Sequence, residues 1–141
     1  MNSNAVYSSS GMDSQENLGL EFSRRARGIP VWAALHNLGR AGLAELGNGY
    51  VRLAKRLAQG LQDNGFILLN RVVLNQVLVR LETDHSTLSV RNKAIATGEI
   101  WFGQTIWQGR PALRLSICSW RTTEDDVDTA IAILAAAKSK A

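Results

Sequence analysis

The chain has 141 residues, a single cysteine and a formal net charge of +4, with 45% hydrophobic and 20% charged residues. That is one domain's length with the composition of an ordinary globular chain, too mixed in sign for a polycation and without the paired cysteines of a disulfide scaffold. No apolar run approaches the ~20 residues that span a bilayer, and the N-terminus lacks the apolar stretch of a secretory signal, so a cytoplasmic protein is expected.

Residues 1–20 are rich in Ser, Asn and Gly and bring too little apolar surface to offset the entropy of ordering. Arg24, Arg25 and Arg27 then form the densest cluster of like charge. Three arginines are a small footprint for a nucleic acid, and no nucleic-acid partner is expected.

Pro30 suits a first helical turn, and Val31, Trp32, Leu35 and Leu38 follow at helical spacing, which predicts a core-facing stripe. The stretch LGRAG, Leu38–Gly42, interrupts it. A longer helix follows, with Leu43, Leu46, Tyr50, Leu53, Leu57 and Leu61 on one face and Arg52, Lys55, Arg56 and Gln59 on the other. The stretch DNG, Asp63–Gly65, ends it.

Phe66–Leu69 and Val72–Leu81 read as strands, and Thr83–Ser86 offers caps for a short helix anchored by Leu88, Ala94 and Ile95. Two further strands surround a turn at Gln108–Pro111. A closing helix starts at Thr122 or Thr123, with Glu124, Asp125 and Asp126 at its positive end and Val127, Ile131 and Leu134 packing. The order predicts an α+β fold, with helices on one face of a mostly antiparallel sheet.

Few residues suggest chemistry. His36 and His85 lie far apart, outside any zinc-ligand spacing. Cys118 reads as a buried, inert thiol, and Trp32, Trp101, Trp107 and Trp120 as core or interface residues, the last three in strands. The acidic run at 124–126 reads as a dipole-matched cap rather than a metal site. Arg114 is more telling. Along ALRLSICSW, Leu113, Leu115 and Ile117 share one face, while Arg114, Ser116 and Cys118 take the other. Its planar fork suits a carboxylate or phosphate; a structural salt bridge or a solvated strand edge is the competing reading.

Three segments, EFSRRARGIPVWAALHNLGRAGLAEL, VVLNQVLVRL and ALRLSICSWRTTEDDVDTAI, closely resemble the C-terminal part of group II pyridoxal-phosphate-dependent decarboxylases, relatives of the aromatic-L-amino-acid, tyrosine and glutamate decarboxylases. The resemblance runs from about Ala5 to the end. It implies the small C-terminal domain of the aspartate-aminotransferase-like architecture, residues 30–141, preceded by an edge of a large domain at 1–29. It also implies pyridoxal phosphate as cofactor and an amino acid as substrate. The partner would be a missing large domain or a homodimer mate. Ser23, Arg24 and Arg25 would approach the cofactor pocket, that of a partner subunit included, and Arg114 would meet the substrate carboxylate. The family's Schiff-base lysine follows a histidine. None of Lys55, Lys93, Lys138 and Lys140 does, so the chain alone is expected to be inactive. The glycines of LGNGY, Leu46–Tyr50, depart from the charged, glycine-free helix of the family. The other reading of the chain is a free-standing interaction or regulatory module.

Overall fold

The computed structural model describes residues 25–139, and the chain divides into two compact units after Gly39. Helix α1 (Gly28–Asp63) crosses that boundary and is broken at Gly39, whose φ of 60° and ψ of −173° interrupt the helix within the expected LGRAG stretch. A side chain there would be strained, since only glycine visits this backbone region freely. In the first unit the stripe of Ile29, Val31, Trp32 and Leu35 is exposed, Trp32 to 65%. Helical spacing defines such a face but not what covers it, and the expected burial of Trp32 is not found.

In the second unit, Leu53, Leu57 and Leu61 of α1 are buried together with Ala54 and Ala58. The helix closes as its glycine predicts: Gly65, at φ 75°, donates to Gln62 O (2.8 Å), and Phe66 N donates to Leu61 O (3.0 Å). Strands β1 (Ile67–Leu68) and β2 (Gln76–Arg80) follow, then α2 (Asp84–Ala96), β3 (Gly103–Trp107), β4 (Arg110–Ser116) and α3 (Glu124–Ser139). The four strands make one sheet in the order β1-β2-β4-β3, and every neighbouring pair is antiparallel. This is the expected small α+β domain.

The register decides which side chains face the helices. Val77 pairs with Leu115 and Val79 with Leu113, and all four join the single core cluster with residues of α1, α2 and α3. Directly opposed residues of an antiparallel ladder share a face. Leu78 and its partner Arg114 therefore take the opposite side.

The strand at Val72–Leu81 is shorter than expected and begins at Gln76. The Asn70 side chain replaces a ladder partner: its amide donates to Gln76 O (3.1 Å) and accepts from Leu78 N (2.8 Å). Val73 and Leu74, left in the loop, are exposed. Thr83 caps α2, accepting from Ser86 N at 3.0 Å. Of the three apolar anchors expected for that helix, Ala94 is buried, while Leu88 and Ile95 are only partly so. Val90 and Thr87 fill the remaining places at 0% exposure, and Thr87 Oγ1 accepts from Leu81 N (3.0 Å) while donating to Thr83 O (2.8 Å). A short polar helix has too weak a period for these positions to be read from spacing.

Gln108 and Gly109, both at positive φ (49° and 78°), form the two-residue turn between β3 and β4. Thr123 caps α3 through a reciprocal pair: Asp126 N donates to Thr123 Oγ1 (3.2 Å), and Thr123 N donates to Asp126 Oδ2 (2.8 Å). The polar face of α1 is also used. Arg56 grips Asp128 of α3 with Nε and Nη2 at 2.8 and 2.7 Å, and reaches Glu124 with Nη1 at 3.1 Å. The fork holds the Asp128 carboxyl below its ordinary range, and Asp128 in turn raises the Arg56 guanidinium.

Candidate functional site

The sheet face opposite the core is where an unusual side chain stands. β4 is an interior strand, so a residue midway along it is flanked on both sides. Arg114 occupies that place, between its register partners Leu78 on β2 and Gly103 on β3. The alternation read from the sequence holds: Leu113, Leu115 and Ile117 are buried, and Arg114, Ser116 and Cys118 are exposed. Of the two competing readings of Arg114, the salt bridge finds no support among the described residues, whereas the solvated one is met in part, since the side chain is exposed. Arg114 makes no salt bridge among those residues, and its strand is not an edge.

The guanidinium leans toward β3. A Cβ placed on Gly103 would stand 3.5 Å from both Nε and Nη2 of Arg114, so the fork lies over a residue with no side chain. Gln76 and Ser116, which pair with each other, continue the same face. So does Arg80, two residues beyond Leu78. Its Nε and Nη1 are buried without a hydrogen-bond partner. Sequence reasoning missed Gly103 and Arg80. The signal for Gly103 lay in pairing two strand patterns across the Gln108-Gly109 turn, which opposes residue 103 to residue 114.

Other expected site residues fare differently. Ser23 and Arg24 lie outside the described residues, and Arg25 is exposed in the first unit. Cys118 is exposed rather than buried, correcting the expectation of an interior thiol. Its place on the polar side of the β4 alternation is the physical reason. Its carbonyl accepts from Tyr50 OH at 3.4 Å, and its Sγ lies 3.7 Å from Asn75 Nδ2. The tryptophans are not core residues either: Trp101 is 80% exposed, Trp120 77% and Trp107 43%. Of these only Trp107 lies in a strand; Trp101 precedes β3 and Trp120 follows β4. A groove bounded by Leu57, Trp101, Phe102, Ile117 and Val127 contains one carboxylate, Asp126, already held by Thr123. Thr123 keeps that carboxyl below its usual range. No acid–base pair is assembled there.

Pyridoxal phosphate needs an amine for its imine, a carboxylate facing the pyridine nitrogen and donors for the phosphate. Of the described lysines, Lys138 directs its Nζ to the carbonyls of Asn64 (2.7 Å) and Gly65 (3.3 Å). Lys55 and Lys93 lie on the exposed faces of α1 and α2, not on the sheet face that carries Arg114. The described residues therefore do not form a cradle for this cofactor. No group of three or more His, Cys, Asp or Glu able to hold a metal occurs among them, and no described helix is long and apolar enough to cross a membrane.

No family model matches the chain. Solved structures do. The structure of Catharanthus roseus tryptophan decarboxylase in complex with L-tryptophan superposes with a TM-score of 0.79 at 20% identity, covering 89% of this chain and 29% of that one. Oryza sativa TDC with pyridoxal phosphate and tryptamine gives 0.79 at 21% identity, covering 90% and 29%. The glutamate decarboxylase domain from Vibrio parahaemolyticus gives 0.70 at 23% identity, covering 84% and 27%. The chain thus spans less than a third of the length of these structures, and over that length its fold is the one found in group II pyridoxal-phosphate-dependent decarboxylases.

Proposed function

We propose that the chain is the small-domain part of a pyridoxal-phosphate-dependent amino-acid decarboxylase, and that Arg114 receives the substrate carboxylate. The observation carrying this reading is an unpaired guanidinium on the outer face of an interior strand, in a fold shared with decarboxylases. Burying such a group without an acceptor is costly, so a covered site there calls for an anion. A cofactor-holding portion on another stretch of polypeptide completes the site. It supplies the imine lysine and the electron sink that the described residues do not provide. Within the second unit, the exposed Trp101 and Trp120 and the orphaned donors of Arg80 support surfaces that are covered in the complete assembly; in the first unit the exposed Trp32 does the same by itself. Ser23, Arg24 and Arg25 are assigned to the rim of that cofactor pocket, in the same or a partner subunit.

This chain's own contribution is then to orient the substrate through its carboxylate, and no catalytic residue is assigned within it. The test has two arms. The chain with added pyridoxal phosphate and a panel of L-amino acids is expected to release no carbon dioxide; turnover at enzymatic speed would overturn the reading. Expressed together with the cofactor-holding large domain of a pyridoxal-phosphate-dependent amino-acid decarboxylase, it is expected to support decarboxylation. In that assembly Arg114→Gln is expected to lower kcat/KM about 100-fold, the loss of one charge-assisted pair.

A further inference from the structure

We propose that Gly103 is the positioning residue for Arg114: its missing side chain provides the seat that holds the guanidinium flat against β3 with its fork open to a carboxylate. The inference deepens the proposed function and rests on Arg114 being a carboxylate contact.

Three observations carry it. Gly103 and Arg114 are direct register partners, so both project to the outer face of the sheet. Nε and Nη2 of Arg114 both come to 3.5 Å of the place where a Cβ would stand, so the guanidinium lies over the glycine. Arg114 has no hydrogen-bond or ion-pair partner among the described residues, so no polar tether accounts for its direction across the sheet. Glycine opening an edge strand is a poor choice for stability, since it loses more entropy on folding than any other residue and packs nothing. It does leave room for a neighbouring group to lie close, and the group that lies close here is the one unpaired cation of β4.

The size dependence follows from the distances. A methyl at residue 103 falls at ordinary van der Waals contact with the guanidinium and leaves it in place. A β-branched side chain extends into the volume that Nε and Nη2 occupy, and Arg114 must rotate away. Valine is otherwise the better strand residue. Stability and binding are therefore expected to move in opposite directions, which a merely structural role for Gly103 would not produce.

The experiment uses the chain itself, with succinate as the carboxylate probe at constant ionic strength, following by NMR the backbone amide resonances of β3 and β4 in every variant and, where Arg114 is present, its Nε–Hε resonance. Wild type is expected to show a nuclear Overhauser contact between Arg114 Hε and the α-protons of Gly103, and a saturable shift with succinate. Gly103→Ala is expected to keep the affinity within about twofold. Gly103→Val is expected to weaken it about tenfold, as the loss of one charge-assisted hydrogen bond implies, without lowering the melting temperature. If wild type and Gly103→Val bind succinate equally while Arg114→Gln does not, the seat is overturned and the role of Arg114 stands. If wild type and Arg114→Gln respond alike, the role of Arg114 falls and the seat falls with it. Absence of the Overhauser contact in wild type overturns the seat without recourse to any variant.

Discussion

The two faces of one sheet divide the labour of the second unit. Toward the helices, Val77, Val79 and Leu113 are fully buried and Leu115 is 6% exposed. On the other side, Gln76, Arg114 and Ser116 are exposed, at alternating positions of the same strands. The backbone that must be rigid to hold the core is the backbone that carries Arg114. A residue on an interior strand is placed by ladder bonds to the strands on both sides and by packing beneath it, whereas a loop residue is not. Stability and the proposed carboxylate recognition can therefore be altered separately, one residue apart.

The largest effect expected from separating them is on the core face. Leu113→Ala, at 0% exposure, is expected to cost about 2–5 kcal/mol in urea denaturation by leaving a cavity between sheet and helices. Its chain neighbour should behave oppositely: a comparable loss for Arg114→Gln would erase the distinction between the faces. Thr87→Val comes next. It keeps the shape but removes the acceptor for Leu81 N, at an expected cost of about 1–3 kcal/mol in the same measurement.

Acid should then act on the helical side and spare the outer face. Asp126 and Asp128 are held below the ordinary carboxyl value of 3.8, Asp126 by bonds from Thr123 and Asp128 by the Arg56 fork. The unfolded chain takes up their protons first. Their contribution is present above about pH 4 and is lost as the pH falls through the depressed folded values. A melting-temperature profile from pH 7 to 2 should decline in this window, and less steeply in Asp128→Asn. The smallest effect is expected for Arg114→Gln, within about 0.5 kcal/mol of wild type, since no described partner is lost.

Much of this division was readable in the chain. Apolar steps of three and four mark the second half of α1, and period two along ALRLSIC separates Arg114 from Leu113 and Leu115 in the sequence itself. The same period already put Cys118 on the polar side; judging it buried set the residue type's average habit against the local pattern, and the pattern prevailed. The start of β2 was not legible, because Val72–Leu74 have strand-like composition while the pairing is provided by the Asn70 side chain. The seat beneath Arg114 depends on register between two strands. Register follows from the turn at Gln108-Gly109, whose positive φ at a glutamine is unannounced by its residue type. The tryptophans illustrate a different limit: hydrophobicity reports a need for cover, not whether this polypeptide meets it.

The Lys138 ammonium bonds across 74 positions of chain, finishing the carbonyls at the end of α1 from the last turn of α3. The last turn of α3 is thereby a latch on the first helix of the second unit. Proteolytic trimming or an appended tag beginning beyond residue 138 leaves that latch shut. Truncation by one residue more opens two helix termini together, so the tolerance of this domain for C-terminal editing ends abruptly at a single amine.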